Sequence, residues 1–140
     1  TAFWNYYRIN HDEAWLKEKA YPMLKEVADF WVSRATKNSD GSYSINNVVG
    51  ANEFAQNIDD NAFTNGSARC VLEYATQAAR ALKLNPNSMW MQVANHLRFM
   101  QMLNGVTKEN ANYHGQIIKQ ADVNLLAYPL GIIKDKKQIS

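Results

Sequence analysis

Ala68-Arg69-Cys70-Val71-Leu72-Glu73-Tyr74-Ala75-Thr76-Gln77-Ala78-Ala79-Arg80-Ala81-Leu82 is the stretch from which the fold class follows. Ala68, Val71, Leu72, Ala75, Ala78, Ala79 and Leu82 recur at the three- and four-residue steps that place side chains on one helical face. The small residues among them allow a neighbouring helix to approach closely. Cys70 stands where a small buried hydrophobe would serve, and as the single cysteine it can form no internal disulfide.

Helical patterns continue on both sides. Toward the C-terminus, Asn85-Pro86 reads as an N-cap and first-turn pair, followed by a helix burying Trp90, Val93, Ala94, Leu97 and Met100 and ending at Asn104-Gly105. A polar loop, Thr107 to Gln116, leads to a further expected helix, Ile117 to Leu130. Ile118, Ala121, Leu125 and Tyr128 share its face, and Pro129 ends or kinks it. Lys134 to Ser140 reads as a frayed or truncated polar tail.

Toward the N-terminus, Thr1 to Ile9 carries Phe3, Trp4, Tyr6 and Tyr7, an aromatic density that suits the end of a helix and a core rather than a sugar-stacking wall. Asn10-His11-Asp12-Glu13 fits a capping box for a short helix through Trp15 and Leu16, which accounts for His11 and Asp12 without catalysis. Tyr21-Pro22 opens a stronger helix that reaches Ala35 and buries Leu24, Val27, Ala28 and Trp31. Asn38 to Gly41 is a turn signal, and Ser42 to Ile45 alternates as a short strand does. The expected class is all-α, helix after helix with long polar loops of the kind that often carry function.

With 140 residues, 46% hydrophobic and 20% charged, the chain suffices for one globular core. Its net charge is +2 and its basic residues are scattered, apart from Lys134, Lys136 and Lys137, so no nucleic-acid partner is expected. No run approaches the roughly 18 apolar residues of a membrane span. The chain opens at Thr1 with neither a methionine nor a signal peptide, as a piece of something longer would. His11, His96 and His114 are isolated from one another, which argues against a metal site. Phosphate-loop and dinucleotide fingerprints and a glycine-flanked nucleophilic serine are absent, so no cofactor is expected.

One loop, Asn47 to Asn65, mixes apolar residues with amides and carboxylates: Asn-Val-Val-Gly-Ala-Asn-Glu-Phe-Ala-Gln-Asn-Ile-Asp-Asp-Asn-Ala-Phe-Thr-Asn. Glycoside cleavage needs one carboxylic acid at the leaving oxygen, a second group on the opposite face, and polar side chains for the sugar hydroxyls. Glu53 supplies the first. Val48, Val49 and Phe54 are placed to desolvate it, which is how such acids hold a proton near neutrality. On spacing alone, Lys119 reads as the partner of Asp122, three residues on.

Gly50-Ala51-Asn52-Glu53-Phe54, followed by Asn57-Ile58-Asp59-Asp60-Asn61-Ala62-Phe63-Thr64-Asn65, resembles the catalytic signature of glycoside hydrolase family 65. That signature is a proline-aspartate-glutamate-tyrosine loop and an asparagine-rich link to an aromatic-threonine-asparagine helix start. Ile118-Lys119-Gln120-Ala121-Asp122-Val123, with Leu125, Leu126 and Tyr128-Pro129-Leu130, is similar to the family's lysine-glutamine-alanine-aspartate helix. Trp15-Leu16 through Tyr21-Pro22 and Phe30 to Arg34 fits the helix that precedes the acid loop. The chain departs from the pattern at Asn52 for aspartate, Phe54 for tyrosine, and Ala55 where many members carry histidine.

The resemblance implies residues 1–140 as a contiguous part of one (α/α)6 barrel domain, about five helices being too few to close it. It implies an inverting enzyme acting on an α-glucoside or related oligosaccharide. Glu53 matches the general acid, and Lys119 and Gln120 match residues that hold the glucosyl unit next to the cleaved bond. Hydrolysis is favoured over phosphorolysis, which would add inorganic phosphate as a partner. The base or phosphate pocket, and a sugar-binding tryptophan-aspartate segment, fall outside residues 1–140, so the chain alone is expected to be inactive and to self-associate through uncovered helix faces. The reading from another class, a non-catalytic helical interaction module, expects Glu53 exposed and Lys119 and Gln120 far from it.

Overall fold

The aromatic N-terminus forms helix α1 (Ala2–Asn10), which stops where His11 takes left-handed backbone, φ 52°, and its N–H returns to the Tyr7 carbonyl. The structure is a computed structural model describing residues 1–135 and 138. Its residues divide into two units, Thr1–Arg34 with Ala68–His96, and Ala35–Ser67 with Leu97–Ser140. Of the expected tail, Lys136, Lys137, Ile139 and Ser140 lie outside the described residues.

In the first unit, Asp12 rather than Asn10 is the N-cap of α2 (Glu13–Trp15), its carboxylate accepting the Trp15 N–H at 2.9 Å. The left-handed turn at His11 delays the new helix by two residues, and the Asn10 amide donates to the Tyr6 carbonyl instead. A wide π turn, Leu16–Ala20, then runs directly into α3 (Tyr21–Arg34). α3 thus opens at Tyr21-Pro22 as expected, with the π turn leading into it without a break. A proline ring collides with the carbonyl four residues back in a regular helix, and the widened turn ahead of it gives that carbonyl room.

α3 buries Leu24 and Ala28, whereas the expected core residues Val27 and Trp31 are exposed and half-buried respectively. Its carboxylate Asp29 accepts the Trp90 indole N–H at 2.8 Å, joining α3 to α5 (Ser88–His96). Burial pushes that carboxyl up, but hydrogen bonds from Lys25, Trp90 and Asn87 outweigh it and hold it below the usual carboxylate range. Trp4 is buried and stacks on Tyr74, ring centres 6.0 Å apart, while Phe3 and Tyr6 pack on Trp15. Of the apolar face expected for α4 (Ala62–Ala81), Ala68, Leu72, Ala75, Ala78 and Ala79 are buried, whereas Val71 and Leu82 are half-buried.

The second unit contains the departure from an all-helical class. β1 (Ala35–Lys37) and β2 (Tyr43–Ile45) pair antiparallel, Ala35 opposite Ile45, around the turn at Asn38–Gly41. The chain is mostly helical with a small two-stranded sheet. Ala35, expected as the last residue of α3, is the first of β1. Arg98 donates to Asp40, and the Ser42 hydroxyl followed by that guanidinium holds the Asp40 carboxyl well below the ordinary range.

Two helical expectations fail in this unit for one reason, capture of the backbone by tertiary partners. α5 ends at His96 because Leu97 bridges to Tyr43 and the Arg98 N–H donates to the Tyr43 carbonyl; Gln101 and Thr107 then pair across a turn at Gly105. The expected helix Ile117–Leu130 is instead irregular chain with one 3₁₀ turn, Val123–Leu126. Its Lys119 N–H is taken by the Asn52 side chain rather than by a helical carbonyl. Gly66, near the start of α4, admits Leu126: a Cβ there would lie 2.5 Å from that side chain.

Candidate active site

Asp122 is the buried hub of the acid loop. Its carboxylate accepts the backbone N–H groups of Ala51 at 3.0 Å and Asn52 at 3.3 Å, and the Asn61 amide at 3.0 Å. Asn61 also caps α4, its carbonyl oxygen accepting the Thr64 N–H at 2.8 Å. One amide thus fixes the helix start and the loop together, as a buried polar group with every partner satisfied can do. Gly50 makes the approach possible: a Cβ at this position would lie 2.6 Å from Asp122 Oδ2 and closer still to Asn61 Nδ2.

Asn52, also buried, continues the network. Its Nδ2 donates to Glu109 Oε1 at 3.0 Å, and its Oδ1 accepts the backbone N–H of Lys119 at 3.1 Å. Glu109 is held in turn by its own carbonyl, which accepts the Ala62 N–H at 2.8 Å and the Asn61 amide at 3.3 Å.

These bonds bring Glu53 and Lys119 together across 66 residues of sequence. Lys119 Nζ lies 2.8 Å from Glu53 Oε2 and 5.5 Å from the centre of the Phe54 ring. Of the interaction-module reading, the exposure of Glu53 is met and the distance it required of Lys119 is not. Lys119 is also not the partner of Asp122, because the segment is not helical and residues three apart do not face each other. Gln120, next in the chain, is exposed.

Desolvation of the acid does not occur. The Glu53 side chain keeps 64% of its surface exposed, and Val49 and Phe54 are exposed as well. Beside it lies a cavity of about 280 Å³ lined by Asn52, Phe54, Glu109, Asn112, Tyr113 and Gln116. Neither Glu53 nor Lys119 lines it, although the chain neighbours of Glu53 do. Such a wall of amides, a carboxylate and aromatic faces suits a polyhydroxy ligand, whose hydroxyls both donate and accept.

Sequence reasoning missed Glu109 and gave Asp122 the wrong partner. A lone glutamate in a polar loop carries no signal of burial, and Asp122 was visible only as part of a motif. Cys70 is buried, and burial, then the neighbouring Glu73 carboxylate, pushes its thiol up, away from the thiolate form that reacts. Among the described residues no helix is long and apolar enough to cross a membrane, and no group of three His, Cys, Asp or Glu side chains is placed for a metal.

Residues 1–113 match the model of the glycosyl hydrolase family 65 central catalytic domain. The chain is 51% identical over 138 residues to a kojibiose hydrolase of Flavobacterium johnsoniae, covering 99% of this chain and 20% of that protein. It is 32% identical over 127 residues to a periplasmic or secreted acid trehalase of Candida glabrata, covering 89% of this chain and 10% of that protein. A solved structure described as a kojibiose phosphorylase from the human microbiome superposes on 78% of this chain and 16% of its own, with a TM-score of 0.67 at 18% identity. The chain therefore spans about a fifth or less of the length of these proteins.

Proposed function

The chain belongs to glycosyl hydrolase family 65, and from that membership we propose that it is part of the catalytic domain of an inverting α-glucoside hydrolase with Glu53 as general acid. Residues 1–140 then form a contiguous section of one (α/α)6 barrel, and the carboxylate base lies elsewhere in the same domain. In an inverting pair the two carboxyls stand about 6.5–9.5 Å apart, leaving room for the attacking water.

The observation that carries this reading is the 2.8 Å approach of Lys119 to Glu53 from a remote part of the sequence. Both side chains are largely exposed, and an ion pair of that kind is worth only about 0.2–1 kcal/mol. A glucosyl ring can displace it cheaply. Lys119 then turns its ammonium protons to the sugar hydroxyls, with Gln120 beside it, while Glu53 faces the glycosidic oxygen. Released from that ammonium, Glu53 takes up a proton and passes it to the glycosidic oxygen; the bond to the leaving group breaks as water, activated by the base, attacks the opposite face.

Hydrolysis is preferred to phosphorolysis because the similar proteins at higher identity are named hydrolases, and the phosphorylase structure at low identity speaks only to fold. Kojibiose is the first substrate to test. Glu53→Gln in the intact enzyme is expected to lower kcat by about 10²–10⁴-fold, the usual contribution of a positioned acid. Full activity in that variant rejects the assignment. Product analysis with and without inorganic phosphate separates the two reactions: free glucose independent of phosphate supports the hydrolase, and a phosphate-dependent sugar phosphate supports the phosphorylase.

A further inference from the structure

We propose that Asn52 and Glu109 are a positioning pair that holds Lys119 beside Glu53, and that the neutral amide at position 52 keeps this arrangement independent of pH. The pair is buried, 3% and 2% exposed, with Asn52 Nδ2 3.0 Å from Glu109 Oε1. The other end of the same amide accepts the Lys119 N–H at 3.1 Å, and the Lys119 ammonium reaches Glu53 at 2.8 Å. One side chain thereby joins the acid loop, the Glu109 loop and the Lys119 segment. Its orientation is fixed, since a flipped amide would set oxygen against carboxylate and N–H against N–H.

Glu109 is buried and its backbone is anchored, the carbonyl bonded to Ala62 and Asn61 at the start of α4. An aspartate at position 52 would therefore place two carboxylates about 3 Å apart. Such a pair cannot hold both charges and shares one proton up to a raised apparent pKa. The other charges nearby do not relieve it. Lys119 spends its ammonium on Glu53, Lys108 gives its own to the Ala111 carbonyl, and Asp122 is a further carboxylate against the Asn52 N–H. At low pH the shared proton preserves the bond and the latch holds. As pH rises that proton leaves and the loops separate. The amide at position 52 avoids this limit.

The test compares wild type, Asn52→Asp and the reciprocal Asn52→Asp/Glu109→Gln variant in the intact enzyme, with kojibiose as substrate, from pH 4 to pH 8. It rests on the glycosidase reading for its activity arm only. The ratio of wild-type to Asn52→Asp kcat/KM is expected to stay within about threefold at pH 4 and to reach about tenfold or more at pH 8, one pKa unit of coupling being a tenfold effect. The reciprocal variant restores an amide-carboxylate bond, so its ratio should remain within about threefold throughout. Melting temperatures should follow the same order, with the Asn52→Asp deficit growing as pH rises and vanishing in the double variant. A ratio and a melting deficit that do not change with pH, or a double variant as impaired as Asn52→Asp at pH 8, overturn the proposal. Absence of wild-type activity on kojibiose counts against that substrate assignment, and the melting series still decides the pair.

Discussion

Lys119 is the residue whose position sequence spacing misassigned, and its role is open to direct measurement. A charged hydrogen bond to a sugar hydroxyl is worth about 1.5–3 kcal/mol, so Lys119→Met is expected to lower kcat/KM roughly ten- to a hundredfold. An unchanged kcat/KM would return Lys119 to the role of a surface ion-pair partner. Gly50 has a different task. Its backbone passes so close to Asp122 and Asn61 that Gly50→Ala must displace a buried, fully bonded network. A cost of about 1–3 kcal/mol is expected, as for other overpacked sites, read as a lower denaturation midpoint with an unchanged m-value. Of the site, Glu53 was legible as a carboxylate in an unusually composed loop, and Lys119 and Gln120 only through the family resemblance. Glu109 was not legible, because its burial depends on Asn52, 57 residues away.

At the scale of elements, the two helix caps make contrasting expectations. Asp12 caps α2 from an exposed position, and its replacement by alanine should cost about 1 kcal/mol, the ordinary value of a lost N-cap bond. Asn61 caps α4 from a buried one and also donates to Asp122, so Asn61→Ala removes a donor from a buried carboxylate as well. A loss of about 2–4 kcal/mol is expected there. Chemical denaturation of the two variants side by side checks the order; equal losses would mean that the hub around Asp122 contributes nothing. Elements held by local forces, such as α4 with its unbroken apolar face and the Asn38–Gly41 turn, followed from sequence. Ile117–Leu130 has the apolar spacing of a helix but gives its Lys119 N–H to Asn52, and no local pattern encodes that bond.

At the scale of the whole chain, apolar side chains remain uncovered within each unit. Met23, Val27 and Phe30 are exposed on α3, and Ile117, Ile118 and Tyr128 are exposed in the second unit. If residues 1–140 are a section of a larger barrel, the missing helices cover such surface in the intact domain. The 140-residue chain by itself is therefore expected to self-associate in light scattering, and a clean monomer at high concentration would count against that view. Apolar periodicity determined that the chain is mostly helical, and a three-segment resemblance determined its family, because both are written in residues close together in sequence, whereas the caps expected at Asn10 and Asn85 lie two residues on, at Asp12 and Asn87. Tertiary structure alone decided the end of α5 at His96 and the meeting of Glu53 with Lys119. Those features rest on bonds that become possible only after distant backbone has been brought within about 3 Å, where burial makes an unpaired polar group costly and a paired one selective.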